Sequence, residues 1–507
     1  MFYPTPKQMK TIEENSEKNG VSCRQLMENA GSALTMLIYK IGEETSLSSG
    51  VVIVCGSGNN GGDGFAAARM LAEEGVPVTA VLVSGEPATE LAAAEYFELD
   101  SGVEVLYLDD NIEKVFRRFS EAAVIVDAVF GTGFHGSLPP RVKACFSYAQ
   151  RCAAIKIAAD VPSGGNCLDG TVTDGILKCD YTVTFGCPKI GMLIPPLDEY
   201  CGEVIVGDIG LPDKCCQGME YLPRLFDEKM AAEIIPARKR DSYKGDFGRL
   251  LNISGSRCMS GAAALSTAAA LRSGAGLVTL ASTETVISRI ASGIAEAMYL
   301  PLIEDKYGAI ADKNAAALIN GCKNKTAVSI GCGLSVTDGT KALTKAVIKN
   351  AECPVILDAD GINCIADNID IIRDTKNKLI ITPHAGELAR LTGASAEDRL
   401  TLAVNIAREY GAVVVAKGVP TFVAGGGRVY VIPAGNPGLS RGGSGDVLTG
   451  IIAAFCAQGI EPVEAAAAGV FVHGAAADIA AKELSQTGML PTDVISKLPF
   501  VFKKLNR

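Results

Sequence analysis

The chain has 507 residues, a net charge of −10, 48% hydrophobic residues and 21% charged residues. That length exceeds one ordinary core, and that composition excludes a disordered chain. The acidic balance argues against a general nucleic-acid or anionic-membrane binder, but not against a local basic pocket for phosphates.

Residues 6–45 carry apolar positions at helical spacing, among them Met9, Ile12, Leu26, Leu34 and Ile38. From Val51 onward, apolar strand candidates alternate with helical stretches. The strands fall at 51–55, 76–83, 103–108, 123–127, 154–159, 181–185 and 203–206. Such alternation predicts a parallel sheet covered by helices. The pattern stops near 211–226, and a second series begins at 249–254. It continues at 277–281, 326–331, 354–358, 379–382, 412–416, 419–424 and 428–432, with Ala-rich helical stretches at 260–273 and within 444–485. The predicted architecture is two three-layer α/β/α domains, residues 1–220 and 221–507.

The segment Gly56-Ser57-Gly58-Asn59-Asn60-Gly61-Gly62-Asp63-Gly64 lies between the first strand and the predicted helix at 65–71. A glycine-rich strand-to-helix turn brings backbone N–H groups to phosphate, and the helix start favours negative charge. Asp127 and Asp160 each end a predicted strand and precede a Gly-containing turn. Ligands of open α/β sheets bind beyond the carboxyl ends of the strands, so these residues are expected to converge with the 56–64 loop.

In the second half, Arg441-Gly442-Gly443-Ser444-Gly445-Asp446 runs into a helical stretch. Its amides form an anion nest, and Asp446 beside it can deprotonate a hydroxyl. Positioned charge and one base are what phosphoryl transfer needs, and Mg2+ on the nucleotide phosphates follows from that chemistry. Only three His are present. His384 follows a strand and precedes Ala-Gly-Glu, which favours a site. His473 lies in an apolar run and reads as a packed helix residue. His135 either lines the first site or caps its loop.

The sixteen Cys are scattered, without zinc spacing. Neither a leader peptide nor a run of about 18 apolar residues stands out. A cytoplasmic protein with reduced thiols is expected.

The first half resembles the NAD(P)HX epimerase family, in Gly-Ser-Gly-Asn-Asn-Gly-Gly-Asp-Gly, Asp-Ala-Val-Phe-Gly-Thr-Gly, Asp-Val-Pro-Ser-Gly and Thr-Phe-Gly-Cys-Pro-Lys. The resemblance implies a Rossmann-like domain. It implies dinucleotide contacts from Asn59, Asn60, Gly61, Gly62 and Asp63, and from Gly131, Thr132, Gly133, Phe134, His135, Gly136 and Ser137. It implies K+ held by Asn60, Asp127 and Ser163, with Asp160 touching the substrate as catalytic base. Hard oxygen donors suit an alkali cation.

The second half resembles the ribokinase-like superfamily and, within it, the NAD(P)HX dehydratases. The matching segments include Lys244-Gly245-Asp246-Phe247-Gly248, Thr382-Pro383-His384-Ala385-Gly386-Glu387 and Ala416-Lys417-Gly418. The resemblance implies hydrate contacts from Ala262, Gly333, His384 and Asp446. It implies that Lys417, Gly418, Val419, Pro420, Thr421 and Gly445 hold the adenine nucleotide. Phosphorylating the C6 hydroxyl makes a leaving group, and eliminating phosphate restores the nicotinamide double bond. ADP is the expected donor, giving AMP and phosphate, and a homo-oligomer the expected assembly. Gly331-Cys332-Gly333-Leu334-Ser335 departs from the family, which commonly has Pro and Gly where Cys332 and Ser335 stand. Two rival readings remain at this level: a small-molecule kinase with a stable phosphorylated product, and a nucleotide-binding scaffold role for the first half.

Overall fold

The computed structural model describes residues 1–375, 378–395 and 398–507. The chain forms two compact units, 1–223 and 224–507.

The first unit opens with two helices, Pro6–Lys18 and Cys23–Glu44, where the sequence suggested one helical stretch. Asn19, Gly20 and the capping Ser22 break it. Seven strands follow: β1 (Val51–Cys55), β2 (Val78–Leu82), β3 (Val103–Tyr107), β4 (Val124–Ala128), β5 (Ile155–Ala159), β6 (Tyr181–Phe185) and β7 (Glu203–Gly207). Their order is β3-β2-β1-β4-β5-β6-β7, and all pairs are parallel. β1, β2 and β4 are buried along their whole length, as helices on both faces require. The strand order reverses between β1 and β4, so the crevice for a ligand opens above Cys55 and Ala128.

The second unit has a ten-stranded sheet. Its strands are β8 (Pro223–Leu225), β9 (Arg249–Ile253), β10 (Leu277–Thr283), β11 (Met298–Leu302), β12 (Ala327–Ile330), β13 (Val355–Leu357), β14 (Leu379–Ile381), β15 (Val413–Ala416), β16 (Thr421–Gly425) and β17 (Arg428–Ile432). The order is β11-β10-β9-β12-β13-β14-β15-β16-β17-β8. The pairs from β11 to β15 are parallel, and β15-β16-β17 form an antiparallel meander. β8 and β11 are additions to the elements read from the sequence. Each is an edge strand, β8 only three residues long and β11 interrupted by Pro301.

Helix Ser444–Ala457 is buried on nearly every side beyond its first turn, which explains the apolar run from Gly450 to Ala457. It packs on helix Ser260–Arg272 so closely that a Cβ at Gly450 would lie 2.2 Å from the Ser266 carbonyl oxygen. Helix Pro462–Leu484 is long and apolar enough to cross a membrane by length and composition, but 72% of its apolar window is buried within the protein. Its role here is that of a core helix.

Candidate active sites

In the first unit the glycine-rich segment is not a free turn. The helix begins at Asn59 and runs to Glu73, so Asn59 to Gly64 form its first turns. The reason is packing. A Cβ at Gly56 would stand 2.0 Å from the Val129 carbonyl oxygen, and one at Gly61 2.0 Å from the Gly56 carbonyl oxygen. These glycines let the helix sit against the β1 and β4 ends. No side chain caps the helix start at Gly58, and the space beside Gly58 is open. The first-turn N–H groups therefore remain for an anion.

A cavity of about 560 Å³ opens at this helix start. Asn59, Asn60, Asp63, Gly131, Thr132, Gly133, Phe134 and Asp160 line it. Gly61 and Gly62 are buried behind the lining, and His135, Gly136 and Ser137 are exposed outside it. Asp160 is buried and has a left-handed backbone, φ 67°. Lys189 and Glu13 also line the cavity. Lys189, quoted in a motif but given no role, forms a buried ion pair with Asp160. Burial, then the charges of Asp160 and Glu13, push the Asp63 carboxyl well above the usual carboxylate range. Glu13 is pushed up by burial and by Asp160.

Asp127 and Ser163 form a buried unit. Ser163 donates through Oγ to Asp127 Oδ1 at 2.5 Å and through its N–H to Oδ2 at 2.7 Å. The Phe130 N–H donates to Ser163 Oγ at 2.7 Å. Gly131, the next residue, faces Asn60, and a Cβ there would lie 3.3 Å from Asn60 Oδ1. The Phe130–Gly131 segment thus joins the three oxygen-bearing side chains. Burial pushes Asp127 up to about 6, and among the described residues no Lys or Arg pairs with it. Asn60 Nδ2 is buried without a partner among the described residues.

In the second unit a cavity of about 610 Å³ is lined by His384, Lys417, Gly418, Val419, Pro420, Thr421, Gly445 and Asp446. Gly443, at φ 101°, begins helix Ser444–Ala457 without a side-chain cap. The left-handed angle is one that glycine adopts readily. Asp446 stands in the first turn. Its carboxylate clusters with Asp358 and the Cys332 thiol, with their ligating atoms within 4.8 Å of one another. Burial, then the Asp358 charge, push Asp446 up to about 6.

Lys417 donates to Asp358 Oδ1 at 2.8 Å, and Thr382 and Thr449 donate to the same carboxylate at 2.7 and 2.8 Å. Although burial opposes it, this set holds Asp358 below the usual carboxylate range. Lys417 therefore points to the carboxylate cluster, while Gly418 to Thr421 form the adjoining wall. Arg399 organises that wall by donating to the carbonyls of Pro420 at 2.9 Å and Val419 at 3.0 Å. Sequence reasoning missed it, because an Arg opening a helix reads as solvent-facing.

His384 caps helix Ala385–Thr392. Its Nδ1 accepts from the Gly386 N–H at 3.0 Å, and the Glu387 carboxylate accepts from the His384 N–H at 2.8 Å. It is both a cap and part of the cavity lining. His473 is buried in its helix, as its apolar context suggests, yet it also lines the cavity, and burial lowers it to about 4. Ala262 and Gly333 lie against each other, a Cβ at Gly333 coming within 2.8 Å of the Ala262 Cβ. They fall outside this cavity's lining and connect to it through Cys332.

Comparison with known proteins adds the following. A family model described as NAD(P)H-hydrate dehydratase matches residues 250–500, and one described as YjeF-related protein N-terminus matches residues 23–191. A protein of Moorella thermoacetica named bifunctional NAD(P)H-hydrate repair enzyme Nnr is 35% identical over 95% of this chain and 92% of its own length. The protein of that name in Escherichia coli K12 is 33% identical, over 88% of this chain and 84% of its own. Among solved structures, a hypothetical protein of Streptococcus mutans aligns with a TM-score of 0.50 and 30% identity, over 56% of this chain and all of that one.

Proposed function

Since the chain belongs to the family of bifunctional NAD(P)H-hydrate repair enzymes, we propose that residues 1–220 form its epimerase domain and residues 221–507 its dehydratase domain. The protein is an enzyme of two activities. It interconverts the (6R)- and (6S)-hydrates of NAD(P)H, and it dehydrates the S form to NAD(P)H. One observation carries the assignment of both sites: each unit has a cavity where an uncapped helix start stands beside a buried carboxylate.

In the first cavity the amides of the Asn59 turn and of Gly131 to Phe134 would hold dinucleotide phosphate. In the hydrate, C6 bears both the ring nitrogen and a hydroxyl. Inversion there requires bond breaking assisted by proton transfer, and Asp160 takes up and returns that proton. Burial, then the charges of Asp160 and Glu13, push the Asp63 carboxyl up, which lessens its like-charge repulsion of the dinucleotide phosphates.

K+ fits the first unit's oxygen set, because Asp127 is a buried carboxylate with no cationic side chain opposite it among the described residues. Asn60, Asp127 and Ser163 would hold the ion, which supplies positive charge near the phosphates. Replacing potassium with tetramethylammonium at constant ionic strength should slow epimerisation about tenfold or more, on the scale at which a disturbed metal site acts. An unchanged rate in the two salts would count against the cation.

In the second cavity Asp446 removes the C6 hydroxyl proton, and that oxygen attacks the terminal phosphorus of the nucleotide. The amides of Gly442 to Gly445 hold the transferred phosphoryl group. Loss of phosphate from C6 and of a proton from C5 then restores the ring double bond. ADP is the proposed donor, leaving AMP. Mg2+ would be held by the nucleotide phosphates beside the Asp446 and Asp358 carboxylates, since it prefers oxygen to the Cys332 sulfur. Ala262, Gly333 and His384 would contact the hydrate, and Gly418 to Thr421 with Gly445 the nucleotide.

Asp446 serves as a base only when ionised, and its carboxyl lies at about 6. Dehydration should therefore rise with pH through about 6 and level off above it. A profile from pH 5 to 8 checks this, and a flat profile would contradict it. A cytoplasmic setting is part of the proposal, and the scattered cysteines of the sequence suit it.

A further inference from the structure

The three protons of the Lys189 ammonium are all committed inside the first unit. Lys189 is 1% exposed. Its Nζ donates to Asp160 Oδ1, to Thr184 Oγ1 at 3.1 Å and to the Phe185 carbonyl at 3.1 Å. An ammonium has three donors and no acceptor, so none remains for a ligand. Asp160 Oδ1 accepts a second bond from the Phe185 N–H at 3.3 Å. Oδ2 is different. No hydrogen bond to it is recorded among the described residues, and it faces Gly131, where a Cβ would lie 3.4 Å away. Gly131 lines the cavity. The two oxygens of one carboxylate are thereby divided, one fixed by the protein and one presented to the cavity.

We propose that Lys189 is the positioning residue of epimerisation: it anchors Asp160 Oδ1 so that Oδ2 alone is offered to the substrate hydroxyl. The proposal rests on the reading of Asp160 as the base. Lys189 touches no reacting atom and acts through Asp160. The anchoring has a local cause. Lys189 follows the turn at Gly186 to Pro188, and two of its acceptors come from the end of β6, so the ammonium is held by the same strand end that supplies the Phe185 N–H. Asp160, with its left-handed backbone, is held by its own N–H to the Val183 carbonyl at 2.8 Å. Backbone and carboxylate are thus both tied to β6. Without Lys189 only the 3.3 Å bond from the Phe185 N–H restrains the carboxylate, and a base misplaced by about 1 Å loses on the order of 100-fold in rate.

The experiment compares Lys189→Met, Lys189→Arg and Asp160→Asn in the full-length protein, each over a range of hydrate concentration. Lys189→Met should lower kcat for epimerisation on the order of 100-fold. Its KM should stay within about threefold, because no contact with the substrate is removed. Lys189→Arg keeps a cation at the site and should exceed the Met variant at least tenfold in kcat, roughly half the loss on a logarithmic scale. An unchanged kcat in Lys189→Met, a loss confined to KM, or equal loss in the Met and Arg variants would each overturn the role. If Asp160→Asn itself keeps wild-type epimerisation, the reading of Asp160 fails and the inference with it. If Asp160→Asn is inactive while Lys189→Met keeps its kcat, the inference alone fails.

Discussion

Asp446→Asn should lower dehydration of the S hydrate roughly 10⁴-fold, the scale seen when one member of a catalytic unit is removed. Asp446 occupies the first turn of a helix whose start at Gly443 has no side-chain cap. The base and the amides that receive the phosphoryl group therefore belong to one rigid element. Asparagine keeps the shape and removes the proton acceptor. Nucleotide binding should survive, because the wall from Gly418 to Thr421 is held by Arg399 and does not depend on Asp446. Binding should even tighten, since the substitution removes the Asp446 charge that repels the incoming phosphates. Epimerisation should be unchanged. Substantial dehydration by a verified Asp446→Asn protein would refute the mechanism, and loss of epimerisation as well would refute the division into two sites.

Asp160→Asn should bring epimerisation down to the spontaneous rate while S-hydrate dehydration continues at full speed. Asp160 lies at the β5 end, beyond the parallel sheet's switch point, in the cavity that receives the uncapped Asn59 helix start. Among the carboxyls lining that cavity, Asp63 and Glu13 are both pushed up by burial, whereas Asp160 has the Lys189 ammonium against it. Its Oδ2 faces Gly131 of the cavity lining, where a substrate proton can reach it. A variant that still interconverts the two hydrates at the enzymatic rate would remove Asp160 from the role. The mixed hydrates should then show two phases, a fast one for the S form and a slow one set by spontaneous conversion of the R form.

Much of the architecture was legible because parallel strands buried on both faces read as continuous apolar runs, as in Val51 to Cys55 and Val413 to Ala416. Edges were not. Met298 to Leu302 is partly exposed, and Pro301 interrupts its apolar run and argues against a strand. The start of the Asn59 helix was placed too late for a different reason. Asn and Gly are poor helix formers, and the sequence cannot show that the carbonyl oxygens of Val129 and Gly56 come too close for a Cβ at Gly56 or Gly61.

At the sites, strand-end carboxylates and glycine-rich turns stand out because they cluster along the chain. Lys189, Glu13 and Arg399 do not. Each is a single charged residue whose burial or bonding depends on tertiary contacts. Glu13 in particular sits on an amphipathic helix, where a Glu ordinarily faces water. Lys417 was legible as a site residue, but its partner Asp358 lies 59 positions away, and no local signal joins the two.

The most direct test supplies the mixed hydrates with ADP and Mg2+ and follows the absorbance of restored dihydronicotinamide. The wild-type protein should convert both epimers to completion and release free phosphate. Asp160→Asn should stop its fast phase at the S fraction, and Asp446→Asn should restore none. Accumulation of a stable phosphate ester in place of dihydronicotinamide, or no reaction with ADP or ATP, would contradict a two-site repair enzyme.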